Sequence, residues 1–433
     1  MTPEFWVDLL QNTDAPQDPY LLHIFISRTA TFPYSLRLSR RGISNIQQIP
    51  HFVSRLCTLT VLLGKGVNVL LYLKILYNLE MPGLRCLQLQ LTAEACRVMP
   101  RLAPLGRAPR PGNFPQLLSL ITRGDFLSPI LAVPTLKKLT VIGRVYSLGT
   151  LASILSHCSG NLEDLELITC HTEDVLTHDT RVSFPHLRRL LVHNYAPVWT
   201  RTFLQMVACP AKTRLYILAF ESALNLALPS SSQLPSFATV SNVAVSFIVA
   251  SPSNILRITG SSRSESFIHI ELKGAKWGPA PSPHGASYLI PDLIRFWGAH
   301  QALTSLTLDL LHRVSVTEGD WRLLLSGFSA LISLHVRIDN GRPLLRVLHK
   351  ELLCPELKEL TLTCNNGSGI HELFVLAVEF RAANGSRLKR LVFSRPRDDI
   401  PGQSVPWSAA RIWRLMFAVE TLQMKVPPFG WDV

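Results

Sequence analysis

Apolar residues recur along this chain in one short phrase: an apolar residue, two other positions, and then an alternating apolar–x–apolar pair. Pro134-Thr-Leu136-Lys-Lys-Leu139-Thr-Val141 and Pro185-His-Leu187-Arg-Arg-Leu190-Leu-Val192 are two copies, and their proline would suit the start of a strand. The alternation points two apolar side chains to one face of a sheet. The first leucines of the copies lie at 84, 117, 136, 162 and 187, and again at 303, 331, 357 and 388. This recurrence predicts a repeat fold in which equivalent strands stack side by side.

Between the strand phrases lie segments whose apolar residues recur at helical spacing. Leu148, Leu151, Ile154 and Leu155 are the clearest case. A strand, a turn and a helix in each repeat predict an α/β leucine-rich-repeat-like solenoid, a curved horseshoe with a parallel concave β-sheet and helices on the convex side. An open doubly wound sheet is the alternative, and it is disfavoured because no glycine-rich phosphate-binding turn follows any strand.

The phrase is interrupted in the middle of the chain. Three β-type runs replace it, Val243–Val249, Ile255–Thr259 and Phe267–Leu272, and the last two predict a hairpin. We therefore expect four regions: 1–40 as an N-terminal helical cap, 41–220 as a leucine-rich-repeat-like arc, 221–297 as an irregular insertion that contains the hairpin, and 298–433 as a second leucine-rich-repeat-like arc. A junction between two arcs is the alternative for the middle region. The insertion is favoured because Val243–Val249 could itself supply a strand of the solenoid.

The chain is basic, with a formal net charge of +13. A basic protein binds nucleic acid or an anionic surface when its cations are concentrated on one face. Here lysine and arginine are spread along the chain, and aromatic residues are not interleaved with them as a stacking platform requires. We interpret the charge as a basic solvated surface and keep a scaffold for nucleic acid or anionic surfaces as the alternative function. No apolar run reaches the roughly 20 residues of a membrane span, so no membrane partner is expected.

The sequence contains no recognisable enzyme or metal motif. A nucleophile elbow, a Walker A loop, an HExxH helix and a GxGxxG turn are all missing. Cys158, Cys170, His171 and His178 come nearest to a metal site, but their spacing fits no standard zinc set. We predict no enzymatic activity, no catalytic residue, no metal ligand and no cofactor. The cysteines form no CxxC pair and the first residues lack a signal-peptide pattern, so a reduced cytoplasmic or nuclear protein is expected.

Several segments resemble a known family. Thr2-Pro3-Glu4-Phe5-Trp6-Val7 resembles the stretch that follows the F-box in F-box/leucine-rich-repeat proteins of mushroom-forming fungi, and Tyr20–Arg28 is similar to that family's next helix. Phe267–Leu272 and Pro291–Trp297 resemble its mid-chain segments. The resemblance implies the substrate-recognition part of a cullin-type ubiquitin-ligase receptor, in which the F-box docks the adaptor and the repeats hold the substrate. The F-box would precede residue 1, so binding of the ligase adaptor is not expected.

The alternation within each phrase also predicts where a partner binds. Residues before, between and after the last two apolar positions point away from the core, toward the concave side of the sheet. The predicted partner-binding residues are Gln88, Lys138, Asp164, Glu166, Arg189, His193, Asp309, His335, Arg337, Glu359 and Arg390. Both charge signs are represented, which favours an unidentified protein over a nucleic acid as the partner. The predicted function is therefore non-catalytic protein binding.

Overall fold

The computed structural model divides into two compact units, each built around a mostly parallel β-sheet with accompanying helices. One unit is Met1–Asn194 with Thr202–Pro210, and the other is Tyr195–Arg201 with Ala211–Val433. The structure describes residues 1–16, 18–39, 53–64, 69–91, 113–129, 131–145, 147–170, 181–194, 196–220, 224–230, 233–248, 254–262, 267–274, 285–298, 302–310, 315–364, 370–394 and 407–425.

In the first unit, parallel strands pair with one another in chain order. Its strands are β1 (Tyr34–Leu38), β2 (Leu56–Leu63), β3 (Cys86–Leu91), β4 (Ser119–Arg123), β5 (Lys138–Ile142), β6 (Asp164–Ile168), β7 (Val182–Ser183), β8 (Arg189–Asn194) and β9 (Val207–Ala208). β7 and β9 form a separate short pair, and the others form one sheet. The helices are α1 (Pro3–Asn12), α2 (Pro19–Arg28), α3 (Val69–Asn78) and α4 (Leu148–Cys158), while α5 (Pro197–Met206) contributes residues to both units.

The second unit contains a longer sheet whose order departs from the chain order. Its strands are β10 (Arg214–Ala219), β11 (Asn242–Ile248), β12 (Asn254–Ser261), β13 (Phe267–Gly274), β14 (Ser305–Asp309), β15 (Ser333–Arg337), β16 (Glu359–Thr363), β17 (Leu388–Ser394) and β18 (Val419–Lys425). Its helices are α6 (Leu224–Ala227), α7 (Pro235–Ala238), α8 (Gly285–Leu293), α9 (Glu318–Gly327), α10 (Arg342–Lys350), α11 (Ile370–Ala383) and α12 (Ala409–Ala418). A π-helical turn, Ile294–Gly298, follows α8.

The middle strands of the second unit run in the order β10-β13-β12-β11-β14. β13 is parallel to β10 and β11 is parallel to β14, while β12 is antiparallel to both of its neighbours. The predicted hairpin is confirmed as β12–β13, and residues 243–248 of the first predicted run lie in β11. The antiparallel direction of β12 is the one that the hairpin requires, and it departs from the parallel arrangement of the repeat strands.

The leucines of the phrase form continuous buried rows within each unit. Leu139, Leu165 and Leu190 lie directly opposite one another on β5, β6 and β8. The second unit carries the equivalent row Leu306, Leu334, Leu360 and Leu391 on β14 to β17. Each of these seven side chains is at most 2% exposed. The prediction that they are buried at equivalent positions of parallel strands is therefore confirmed.

A tight turn precedes several strands of the phrase. The Leu136 N–H donates to the Val133 carbonyl at 3.1 Å, and the Leu187 N–H donates to the Phe184 carbonyl at 3.3 Å. The proline of the phrase thus occupies the second position of a four-residue turn, where its fixed φ is favourable. The interpretation of Pro134 as a strand start is wrong, since the strand begins only at Lys138.

The turns also connect each repeat to the next one through a shared backbone carbonyl. The Leu118 carbonyl accepts from the N–H groups of Lys137 at 2.8 Å and Lys138 at 2.9 Å. The Lys137 carbonyl then accepts from Glu163 and Asp164 at the same two distances. The second unit repeats the arrangement at Thr304, Ile332 and Lys358. This shared-carbonyl ladder uses both lone pairs of one oxygen and satisfies two backbone donors at the start of each strand that takes part in it.

Candidate partner-binding face

The predicted partner-binding residues all lie on strands, at positions that alternate with buried ones. Along β6, for example, Leu165 and Leu167 are buried and the residues around them are partly exposed. We call the sheet side that lies opposite the buried leucines the outer face. Gln88, Lys138, Asp164, Glu166, Arg189 and His193 are on the outer face of the first unit. Asp309, His335, Arg337, Glu359 and Arg390 are on that of the second.

In the first unit, the structure brings predicted residues of β5, β6 and β8 together. Lys138, Asp164 and Arg189 occupy neighbouring in-register positions. The Arg189 guanidinium donates to Glu166 Oε1 at 2.6 Å, and the Thr140 hydroxyl donates to Glu166 Oε2 at 3.0 Å. Both oxygens of Glu166 are therefore engaged, and the two charges neutralise each other on the face. Gln88 lies two strands away on β3, outside this group.

Apolar residues also lie on this same face, two of them at the ends of β5 and β6. Ile142 and Ile168 lie directly opposite each other on β5 and β6, and Leu191 occupies the diagonal position on β8. Ile121 on β4 faces Thr140. These four side chains, which we call the isoleucine–leucine patch, are half-buried rather than part of the core.

Sequence reasoning missed the isoleucine–leucine patch because it treated the outward positions as polar. Strict alternation would have identified it. Ile142 follows Thr140 by two residues, Ile168 follows Glu166 by two, and a strand residue two positions away points to the same face.

Polar groups bound the patch at both ends. Arg123 and His193 continue the in-register row that contains Ile142 and Ile168. Arg123 forms an ion pair with Asp125 at 3.1 Å, and its guanidinium lies over Gly143. Gly143 has φ of +79°, and a Cβ placed there would lie 3.6 Å from the guanidinium. The glycine therefore permits the left-handed turn, whereas a Cβ there would make only ordinary van der Waals contact with Arg123.

A polar groove of about 560 Å³ lies on the first unit where α1 meets β1, β2 and β3. Its lining residues are Gln11, Ser35, Leu36, Arg37, Thr58, Thr60, Gln88 and Gln90. The one cation, Arg37, forms an ion pair with Asp14 at 3.1 Å. Side-chain amides and hydroxyls offer both donors and acceptors, so this lining can hydrogen-bond the main chain of a peptide. The predicted residue Gln88 belongs to this groove.

On the second unit, a serine links two of the predicted residues. The Ser333 hydroxyl lies 2.9 Å from His335 Nε2 and donates to Glu359 Oε2 at 3.2 Å. Burial lowers the pKa of His335 below its ordinary value of 6.5; the charge of Glu359 opposes this shift and that of Arg390 adds to it. The neutral imidazole is therefore favoured at this position.

The arginines on the outer face of the second unit also have partners. Arg337 forms an ion pair with Asp309 at 3.2 Å, and both side chains are substantially exposed. Arg390 donates to the side-chain oxygen of Gln423 at 3.1 Å. Exposed pairs of this kind contribute little to stability, but they spread positive and negative charge alternately over the face.

An aromatic cluster on β10 and β13 was also missed by sequence reasoning. The Tyr216 ring centroid lies 5.6 Å from that of Phe267, which stacks on His269 at 6.0 Å. Glu271 accepts from His269 at 3.0 Å and from Arg257 at 2.9 Å. Burial opposes ionisation of Glu271, but these two partners hold its pKa below the ordinary value. The alternation Phe267–His269–Glu271 was the signal available in the sequence. The contact with Tyr216 could not be predicted, because it depends on the pairing of β13 with β10.

Two of the four residues that come nearest to a metal site, Cys158 and Cys170, are in the described part of the chain. Cys158 and Cys170 are buried, and burial raises the pKa of each thiol to about 12, so both remain protonated and act as small apolar groups. His171 and His178 lie outside the described residues. Within the described ranges, no group of three or more His, Cys, Asp or Glu residues could hold a metal ion.

Comparison with the known protein families finds no match for this chain. Comparison with curated proteins finds no match either. Among the helices that the structure describes, none is both long and apolar enough to cross a membrane. The function must therefore be argued from the geometry of the faces themselves.

Proposed function

We propose that this chain is a non-catalytic protein-binding scaffold of the leucine-rich-repeat type, and that the outer face of its first unit binds the partner. In this proposal each unit is a leucine-rich-repeat-like arc with a concave outer face. The resemblance to F-box receptors suggests that the bound protein is a substrate for ubiquitylation. The observation that carries the proposal is the isoleucine–leucine patch, which lies beside polar residues of both charge signs on this face.

The composition of this face supports a protein partner. Protein interfaces combine a central apolar area with a polar rim, and a few central residues provide most of the binding free energy. Ile142, Ile168 and Leu191 supply the apolar part of this face, and Arg189 with Glu166 supplies polar contacts beside it. A single apolar residue on a protein surface needs no explanation. Several adjacent apolar residues, as in this patch, indicate an interaction site.

The charge arrangement supports a protein over the alternative, a nucleic acid. A nucleic acid requires lysine and arginine side chains that are available for phosphates. On this face Arg189 is engaged by Glu166 and Arg123 by Asp125. A protein partner accommodates paired charges of both signs, which provide specificity.

The test compares the full chain with its Ile168→Glu variant. Proteins retained by the wild-type chain but not by the variant are identified by quantitative mass spectrometry, and the dissociation constant of the purified partner is then measured by calorimetry. A charge in the centre of an apolar contact should weaken binding by roughly tenfold or more. Leu118→Glu is the matched control, because Leu118 is exposed and lies in a turn before β4.

Two results would contradict the proposal. One is a partner whose affinity is the same for wild type and Ile168→Glu. The other is tight binding of a random-sequence RNA or DNA oligonucleotide, measured by fluorescence anisotropy, with an affinity that falls steeply as salt increases. That second result would establish the nucleic-acid alternative.

A further inference from the structure

The last helix and the last strand of the described chain share an unusually apolar surface. On α12, Trp413, Met416 and Phe417 are 59%, 53% and 75% exposed. The rings of Trp413 and Phe417 stack with centroids 6.1 Å apart. A groove of about 380 Å³ lies beside them, lined by Ile412, Met416, Val419, Glu420, Leu422 and Met424. We call these α12 and β18 residues the α12–β18 surface.

This surface includes an open edge of the β-sheet. β18 pairs with β17 on one side, and no strand within the described ranges pairs with its other side. An unpaired edge presents a row of backbone donors and acceptors to any matching strand. The edge of β1 differs, because the Ala15 N–H donates to the Arg37 carbonyl at 2.8 Å and α1 packs against that strand.

Ion pairs and backbone contacts hold the surface in one arrangement. The Arg414 guanidinium donates to both oxygens of Glu379 at 2.7 and 2.6 Å, and to Glu372 at 2.9 Å, which fixes α12 to α11. Arg387 donates to the carbonyls of Phe417 and Val419, and so fixes the turn from α12 into β18. An apolar surface that is already ordered loses little conformational entropy on binding.

The local charge distinguishes this surface from the chain as a whole. Two copies of a chain with a net charge of +13 repel each other on average. Here the two arginines of α12, Arg411 and Arg414, are paired with Glu372 and Glu379. β18 itself carries one acidic and one basic residue, so charge does not oppose the approach of an identical surface.

We infer that the α12–β18 surface binds a second copy of this chain, with β18 antiparallel to β18 and α12 packed on α12 about a two-fold axis. A partner for this surface must offer an unpaired strand edge and an apolar helix at matching positions, and an identical chain offers both. In the register that pairs all seven residues of β18, Leu422 faces its own counterpart and Glu420 faces Met424 of the other copy. No like charges are then directly opposite.

The first test measures the mass of the full chain by analytical ultracentrifugation across a range of concentrations. Wild type should form a dimer, and Phe417→Glu should be monomeric. Leu323→Glu should remain dimeric, because Leu323 is an exposed residue of α9 and does not belong to the surface. Ile168→Glu should also remain dimeric, which keeps this inference separate from the proposed partner-binding face.

The second test examines the register. Leu422→Cys should form a disulfide-linked dimer on mild oxidation, because facing residues of antiparallel strands have Cα separations within the roughly 4.4–6.8 Å range of disulfides. Wild type treated in the same way is the control for the native cysteines. A monomeric wild type, a dimer that persists in Phe417→Glu, or a failure of Leu422→Cys to cross-link would each overturn the inference. The inference would also be overturned if a chain shortened after Lys425 formed a dimer while wild type did not. That result would show that residues 426–433 cover the α12–β18 surface in the wild-type chain.

Discussion

At the scale of single residues, Asp292 shows how burial determines chemistry. This carboxylate is only 6% exposed and accepts from the Asn225 N–H at 3.2 Å, in the first turn of α6. Burial raises the pKa of Asp292 above its ordinary value of 3.8, although hydrogen bonds from the backbone of Asn225 and Leu224 and the charge of Arg295 oppose the shift. The folded state therefore binds the proton more tightly than the unfolded state does.

The pH dependence of stability follows from that difference. The contribution of Asp292 is fully present below the unfolded pKa of 3.8 and is lost as the pH rises through the higher folded value. Asp292→Asn removes this titration and retains an oxygen that can accept from Asn225. We expect the variant to gain stability relative to wild type as the pH rises from about 4 to 7, measured by urea unfolding at each pH.

Asp8→Asn is the matched control for this prediction, because Asp8 is an exposed carboxylate on α1. At each pH, the stability change of Asp292→Asn is compared with that of this exposed-site variant. If the difference in unfolding free energy between Asp292→Asn and wild type is constant across the pH range, the folded state does not shift the pKa of the Asp292 carboxyl.

At the scale of elements, α9 depends on a capping box at its first turn. The Thr317 hydroxyl accepts from the Asp320 N–H at 3.2 Å, and Asp320 accepts from the Thr317 N–H at 3.0 Å. Thr317→Ala should lower the free energy of unfolding by about 1 kcal/mol, because the Asp320 N–H loses its acceptor and the Asp320 carboxylate loses the hydroxyl donor at 2.8 Å. Thr2→Ala is the control, since Thr2 caps α1 without a side-chain cap bond. Equal losses in chemical denaturation of the two variants would contradict the prediction.

The strands of the phrase could be predicted from the sequence, because each depends on a local alternation. Leu165 and Leu167 are enough to predict a strand with one buried face. The neighbouring copies of the phrase then predict that such strands stack side by side. The order of β11, β12 and β13 could not be predicted, since three adjacent β-type runs are compatible with more than one pairing. The turn position of Pro134 also depends on a hydrogen bond from Leu136 that composition does not reveal.

The candidate face could be predicted only in part, because local alternation does not determine which strands pair. Alternation placed Glu166 and Arg189 on the outer face, but which residues become neighbours depends on register between strands. Tyr216 and His269 are adjacent only because β13, rather than β11, pairs with β10.

At the scale of the whole molecule, the N-terminal segment protects the first sheet. Leu10, Leu22 and Ile26 are buried, while Phe5 is 45% exposed. The Ala15 N–H also donates a hydrogen bond to the Arg37 carbonyl on the edge of β1. Removing residues 1–33 should therefore expose apolar surface and an open edge together, and cause aggregation visible by size-exclusion chromatography with light scattering.

Phe5→Ser is the control for this deletion, because it changes an exposed residue of α1 and leaves the covering segment in place. It should elute as wild type does. A deletion variant that elutes with no aggregate would show that these residues are dispensable for covering the sheet.

The shared-carbonyl ladder bears on how a gene for such a chain can change in length. Each oxygen of the ladder receives two N–H groups of the following repeat, so duplicating or deleting one complete repeat of the ladder by unequal recombination leaves these oxygens with two donors. Inserting a few codons within a turn would instead displace both donors at once. Lineages that carry this chain should therefore differ by whole repeats, or by insertions between the end of a strand and the next turn.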